Sequence, residues 1–582
     1  MEWPIFAAVP YLFFVRYPFE IMYDICLKND AGKRWTRFPD GGAVKGFVYA
    51  SQAGVLEGAA LYERLQRCYD REALYEFLHA ADGNFSAVVR SGGRLVLVAD
   101  RMRTYPLLYA VRDGAVTVTD VGMPESFRTG PAGCATVKNS PPPRGLDEDA
   151  AYELLAAGYL SGDATLLAGV KSVAAGTCVV LEHGEAAAFT YAEYASACKL
   201  TDFDAVKRRA AEVLEEGFGR MLGTIAGRPV LLPLSSGYDS RLIACLCRKF
   251  GLRDVVCFTY GRRDSFEVEV SRQVAERLGY EWHYVEYTSE TWRRFLESPA
   301  FDDYCAFSGN LTANPHFQDF PAVMELRRRG VLREGMVVLP GHVGDMGGGW
   351  LPRTLFDDPA ARWDGAAASR LVYDAFYDQN VPTASRRARL LERLERSFRG
   401  REYPSADALL DDYITWVFRV RGANFLVNAV RVYEYWGLDW RLPLCEMHYK
   451  LLWYSVPWKT KIGSKLYDEF LFQYYFEPFD VPFRKPVPVP PGGALRRAVK
   501  SLCPSFALRC VRRVRGFVRR LRPAAHFNAF DDVVRILKRK VPPPSRFPGI
   551  RRMNASGGHM INAVVARYYL ELVRRSIDGE RG

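Results

Sequence analysis

The chain has 582 residues, of which 49% are apolar and 25% charged, with a formal net charge of +12. That length holds two or three domains and buries an ample core, and the composition is that of a soluble globular protein, which excludes disordered, fibrous and membrane-spanning classes. The charge is uneven: residues 491–582 carry 21 Lys and Arg against 5 Asp and Glu, leaving about −4 for residues 1–490, so the basicity belongs to a tail.

Twelve cysteines are scattered without a C-x-x-C pair or a Cys/His cluster. This argues against zinc and a disulfide framework, and for a reducing, cytoplasmic setting. The N-terminus, Met1-Glu2-Trp3-Pro4, has no basic segment, and the apolar stretch behind it is broken by Arg16 and Glu20. Neither a signal peptide nor a membrane span is expected.

Residues 1–195 read as a mostly β domain. Val44–Tyr49 is one strand, and Gly83–Val89 with Arg94–Ala99 form a hairpin turning at Ser91-Gly92-Gly93. Asp100-Arg101 and Tyr105–Tyr109 lead into a further strand ending near Val118. This succession resembles the glutaminase domain of class II amidotransferases, with its G-x-F-A-F, strand, D-R-x-G-x-x-P-L-Y order. The resemblance implies an N-terminal-nucleophile fold, an αββα sandwich. It also implies a cysteine at position 2, whose free α-amine serves as base. Position 2 is Glu, the nearest cysteine is Cys26, and Lys45-Gly46-Phe47 stands where the family has N-G-E. No glutaminase activity is expected. Residues 146–196 continue the likeness: Asp147 caps a helix through Leu155, and Thr165–Val170 with Val173–Thr177 resemble the family's connector.

The second domain spans residues 196–490. Val230–Leu234 is a short apolar run fitting a buried parallel strand. It stops at Ser235-Ser236-Gly237-Tyr238-Asp239-Ser240 and continues as a helix. Strand, small polar turn and helix aim backbone N–H groups and a positive helix end at an anion. Asp239 belongs beside a polyphosphate only with a cation between them, which points to Mg²⁺. The plain alternative is a strand-to-helix turn with serine as N-cap. The turn resembles the S-G-G-L-D-S pyrophosphate loop of the ATP pyrophosphatase group, which includes asparagine synthetase. The resemblance implies that Ser235, Ser236, Gly237, Asp239 and Ser240 hold ATP and its pyrophosphate.

A second strand, Val255–Tyr260, a helix from Glu267 to Leu278 stopped by Gly279, and a third strand, Glu281–Val285, follow. This alternation argues for a doubly wound parallel sheet, with the ligand at the carboxyl ends of the strands. In the adenine nucleotide α-hydrolase-like fold that the resemblance implies, Tyr260 lies near the adenine. Met336–Pro340 reads as another strand, delivering Gly341-His342-Val343-Gly344-Asp345-Met346-Gly347-Gly348-Gly349. This resembles the family's S-G-E-G-x-D-E-x-x-G-G-Y segment. It implies Gly341 beside the nucleotide and Asp345 as the second magnesium carboxylate after Asp239. His342 replaces the family's Glu and Met346 the Glu after Asp, which puts aspartate in doubt as the substrate. His342 is a candidate base toward the amine, or a hydrogen-bonded loop histidine. A G-H-x-G-D version resembles asparagine-synthase-like proteins linked to surface polysaccharide assembly, where a sugar uronic acid would be the acid. His316, Gln318 and Asp319 either contact an acid substrate or cap a helix.

Residues 410–476 read as helices, and Asp439–Leu444 resembles the family's E-x-R-x-P-F-L-D, with Cys445-Glu446 standing where the last carboxylate belongs. Arg484-Lys485 resembles R-K-x-G-F, which implies Lys485 on the leaving pyrophosphate; a surface lysine is the alternative. Residues 491–582 read as a basic, mainly helical extension. It is a solvated face, a peripheral contact with the inner membrane surface or an RNA-binding element, and the last helix, Met560–Ser576, is amphipathic and expected to pack back on the body.

The resemblance covers residues 40–490 and implies an asparagine-synthetase-like ligase using ATP and Mg²⁺ on a small carboxylate. Its nitrogen would come from ammonia or an amine, including ammonia from a separate glutaminase. Sequence-specific nucleic acid is not an expected partner. Two rivals are a tRNA-modifying adenylase with the same loop, and a non-catalytic ATP-binding scaffold.

Overall fold

A computed structural model describes residues 22–50, 54–91, 93–112, 115–122, 145–194, 199–344, 351, 363–484, 528–541, 543, 546–553 and 557–579. Strands β1 (Met22–Cys26), β2 (Thr36–Arg37), β3 (Ala43–Ala50), β4 (Gly54–Glu57), β5 (Asp82–Ser91), β6 (Arg94–Ala99), β7 (Leu108–Arg112), β8 (Ala115–Thr119), β9 (Lys171–Ser172), β10 (Thr177–Glu182) and β11 (Glu185–Thr190) build two sheets. One is ordered β11-β10-β6-β5-β3-β2 with β4 beside β3, the other β1-β8-β7-β9. Successive side chains alternate between faces. Val88, Leu95, Leu97, Tyr109, Val118 and Val179 therefore fill the space between the sheets. Phe85, Ala87, Val89, Val96 and Val98 pack outward on Leu61, Leu65, Leu74 and Leu78 of helices Gly58–Gln66 and Arg71–Ala80. Leu108 and Ala110 meet Ala151, Leu154 and Leu155 of helix Glu148–Ala157. The layers are helix, sheet, sheet, helix, as expected.

The second region holds β12 (Val230–Pro233), β13 (Val255–Gly261), β14 (Glu281–Glu286), β15 (Val337–Val338), the short β16 (Trp363–Asp364), β17 (Asn380–Pro382) and β18 (Glu402–Tyr403), and β19 (Asp439–Trp440). Five of them form a sheet ordered β14-β13-β12-β15-β19, with every pairing parallel. Both faces are covered, which is why the strands read as near-continuous Val and Leu. Val230 and Leu232 pack with Leu242, Ile243 and Val274 of helices Tyr238–Lys249 and Phe266–Leu278. Leu231, Phe258 and Val338 pack with Trp292, Phe301 and Phe320 from the helices after β14. Ser265 caps the N-terminus of Phe266–Leu278 and Gly279, at φ 72°, ends it in the left-handed region. The chain leaves β12 through β13 and β14, then returns to β15 on the other side of β12. This switch point opens the crevice in which such sheets bind ligands. β15 is shorter than the expected Met336–Pro340.

The described C-terminal residues are part of the body. β20 (Ile550–Met553) pairs antiparallel with β17. Helix Gly557–Asp578 buries Val564, Val565, Tyr569, Leu570 and Val573 against helices Glu148–Ala157 and Pro299–Gly309. Its apolar face is thus covered by protein, as expected of an amphipathic helix that packs back on the body. The arginine-rich run 496–520 lies outside the described residues. No described helix is long and apolar enough to cross a membrane.

Candidate active site at the carboxyl edge of the parallel sheet

β12 ends at Pro233, and the serine turn leads into the twelve-residue helix Tyr238–Lys249. Gly237 is its N-cap and supplies no side-chain hydrogen bond. The helix therefore presents its positive end where Gly237, Tyr238, Asp239 and Ser240 line a cavity of about 1040 Å³. The hydroxyls brace the turn. The Ser235 N–H donates to Ser240 Oγ at 3.1 Å, the Gly237 N–H donates to Ser235 Oγ at 3.0 Å, and the two hydroxyls lie 3.1 Å apart.

Ser236 differs from its neighbours. It is buried outside the cavity lining, its N–H donates to Glu267 Oε2 at 2.8 Å, and its carbonyl accepts from Arg241 at 2.8 Å. Ser236, expected among the phosphate ligands, here ties the turn to its surroundings. Arg241, with no exposure, also donates to the carbonyls of Val481 (3.2 Å) and Phe483 (2.5 Å). Burial pushes its guanidinium down to about 10, still charged at neutral pH.

After β15 the chain reaches Gly341 and His342, which also line the cavity. Here glycine is required for close approach. A Cβ at Gly341 would lie 2.8 Å from the Ser240 nitrogen, and one at Gly344 would lie 2.7 Å from Asp239 Cγ. Tyr467 holds the loop by donating to the Gly344 carbonyl at 2.9 Å. Val343, at φ 60°, is a non-glycine residue in the left-handed region, a strained geometry that surroundings must maintain.

Another part of the lining is a hydrogen-bonded group. Tyr260 and Tyr433 hydroxyls donate to the two carboxylate oxygens of Asp319, and Gln318 Nε2 donates to the Tyr260 hydroxyl at 2.8 Å. Tyr260 stacks on Tyr287 with ring centroids 4.8 Å apart. Asp319 occupies the N-cap position of helix Phe320–Arg328, as the cap reading expected, but its side chain makes no capping bond and is turned to the two tyrosines instead. Burial pushes the His316 ring below its ordinary value. Burial likewise pushes His342 down to about 4, with Asp319 opposing the shift and His316 adding to it. The His342 ring is therefore neutral at pH 7, and its shielded Nε2 has no hydrogen-bond partner among the described residues. It is a weaker base than the sequence suggested, though a good acceptor.

Of the residues singled out from sequence, Ser235, Gly237, Asp239, Ser240, Tyr260, His316, Gln318, Asp319, Gly341 and His342 line this one cavity. Asp345 and Lys485 lie outside the described residues. Sequence reasoning missed Glu267, Tyr433, Tyr467, Asp468 and Asn528, which also line it; nothing local marks them. Cys445 and Glu446 do not line it. Glu446 caps helix Met447–Tyr454 and pairs with Arg220 at 2.6 Å.

The stretch that carries these elements, residues 211–467, matches the asparagine synthase family. Over this region the chain is similar to asparagine synthases. That family consists of ATP-dependent ligases, and the parallel sheet and serine turn are consistent with the likeness. Comparison with curated proteins finds no match. Among solved structures, the U34-tRNA thiolase NcsA from Methanococcus maripaludis, described with its 4Fe–4S cluster, is 15% identical. That match covers 39% of this chain and 78% of the thiolase at a TM-score of 0.18, too low to carry an argument.

The asparagine synthase family implies ATP with Mg²⁺. Among the described residues no group of three or more His, Cys, Asp or Glu is arranged to hold a metal. Mg²⁺, however, is commonly held by one or two carboxylates together with substrate phosphates. Asp239, in a cavity at a helix N-terminus with glycine backbone closed against it, fits that mode.

Proposed function

We propose that the protein is an ATP-dependent amide-forming ligase. A carboxylate substrate attacks the α-phosphate of ATP, pyrophosphate departs, and ammonia or an amine displaces AMP from the acyl adenylate to give the amide. The observation that carries this reading is the convergence of Asp239, the serine turn and His342 on one cavity large enough for a nucleotide and a second reactant.

Ser235, Gly237 and Ser240, with the helix end, bind the β- and γ-phosphates that leave as pyrophosphate. Mg²⁺ bound at Asp239, with Asp345 as a second carboxylate, would neutralise phosphate charge. The strand ends at Tyr260 and Gly341 take the adenine. Lys485 is the leaving-group cation implied by resemblance. Arg241 supports that role by fixing Val481 and Phe483, just upstream, to the helix that begins at the serine turn. His342, neutral at pH 7, accepts a hydrogen bond from the attacking nitrogen and orients it.

The N-terminal domain is read as an inactive glutaminase. Cys26 lies buried at the end of β1, opposite Thr119 of β8. Lys45 replaces the oxyanion asparagine and donates to the Asn29 carbonyl at 2.8 Å. Nitrogen then comes from free ammonia, a separate glutaminase or an amine substrate. Uronic acids of surface polysaccharide are the first acids to test, with aspartate second.

The test is product analysis with ATP, Mg²⁺, an ammonium salt or amine, and a panel of acids. Conversion of ATP to AMP and pyrophosphate, dependent on one acid, supports the reading. Release of ADP and phosphate, or no turnover across the panel, would overturn it.

A further inference from the structure

Among its described lining residues the cavity has no Lys or Arg, whereas Asp239, Glu267, Asp319 and Asp468 all contribute carboxylates. Asp239 stands at the phosphate turn, and Glu267 receives the Ser236 N–H. Asp319 is different. It is 8% exposed, receives only the two tyrosine hydroxyls, and has no Lys or Arg within ion-pair distance among the described residues. A carboxylate shielded from water with no opposite charge is costly, and neutral hydroxyl donors offset that cost only in part. Each of its oxygens keeps a lone pair for a further donor. On the same cavity, His342 offers a shielded Nε2 with no partner among the described residues.

We propose that this wall binds the amine substrate in its protonated, organic ammonium form, its charge countered by Asp319 and one N–H directed to His342 Nε2. The ion passes one proton to the Asp319 carboxylate or to water, and the free amine so formed is the nucleophile. On this proposal the same wall disfavours an anion, the reverse of the acid contact expected of His316, Gln318 and Asp319. Naming the ion as the precursor of the nucleophile rests on the ligase reading; the preference for a cation does not.

The test is the thermal stability of the full chain with n-butylammonium, n-butanol or butyrate in concentration series, at about pH 7.5, where the amine is charged. Tm is expected to rise with butylammonium alone, and the apparent affinity to fall about tenfold or more in Asp319→Asn. Butyrate or butanol matching butylammonium in the unaltered protein overturns the proposal, and this comparison needs no variant to fold. A butylammonium shift that survives Asp319→Asn overturns it too. ATP·Mg²⁺ is titrated separately. Failure to bind nucleotide sinks the ligase reading and leaves the cation preference standing. A matching loss of ATP affinity in Asp319→Asn assigns this carboxylate to the nucleotide and overturns the proposal.

Discussion

The backbone of Gly344 closes against the carboxylate of Asp239, so tightly that a methyl group on Gly344 would lie 2.7 Å from the carboxyl carbon and 2.4 Å from Leu444 Cδ1. Two loops from different strands thus share one corner of the cavity. Gly344→Ala must push that corner open. Displacements near 1 Å at reacting groups cost about a hundredfold in rate, so ATP turnover should fall by about that factor. Steady-state kinetics at saturating ATP checks this, and unchanged turnover would remove the corner from the chemistry.

Arg241 joins three carbonyls, those of Ser236, Val481 and Phe483. Arg241→Met leaves buried acceptors unmatched, at about 1–3 kcal/mol each. Urea unfolding should show a stability loss of about 3 kcal/mol or more. Arg241→Lys, with a point charge in place of the fork, should restore only part. Equal stability of all three proteins would contradict the anchoring role.

His342 has its folded pKa near 4, below the ordinary 6.5. Between those values the unfolded chain binds a proton that the folded chain does not, so stability must fall as pH drops from 6.5 toward 4. His316, shifted the same way by burial, adds to the slope. His342→Gln should flatten the Tm profile over that window and leave it alone above pH 7. By the same reasoning, the rate profile should show no acid limb near 6.5 from this ring; one that vanishes in His342→Gln would refute the depressed pKa.

Cys26→Ser should leave ammonia-dependent turnover unchanged, and neither form should use glutamine. The thiol is buried within β1, far from a free N-terminal amine in sequence. Glutamine-dependent amide formation lost on this substitution would restore the glutaminase.

Much of the architecture was legible because its signals are local. The Val230–Leu234 run, the serine turn and Gly279 each declare a strand, a loop and a helix stop through neighbouring residues. The two-face alternation of Phe85 to Val98 did the same for the first sheet. The cavity wall was less legible. Tyr433 and Asp319 are 114 residues apart, and their hydrogen bond follows from how whole helices stack. Ser236 looked like a ligand because its type fits; only the position of Glu267, 31 residues on, shows its N–H engaged. Asp319 sat at a helix start and invited a capping role, yet tertiary partners took its oxygens first.

The C-terminal residues reach back toward the site, the last helix through Leu311 and Asn314 just ahead of the cavity wall and Asn528, before that helix, directly. The Leu311 N–H donates to the Tyr569 hydroxyl at 2.8 Å, Asn314 Nδ2 donates to the Asn562 carbonyl at 3.0 Å, and Asn528 itself lines the cavity. During synthesis, domains generally fold from the N-terminus as they emerge. Here the loop bearing His316 to Asp319 waits for residues made some 250 positions later. A nascent chain halted before that helix would carry the serine turn but lack the partners that hold Leu311 and Asn314, just ahead of the His316 to Asp319 wall.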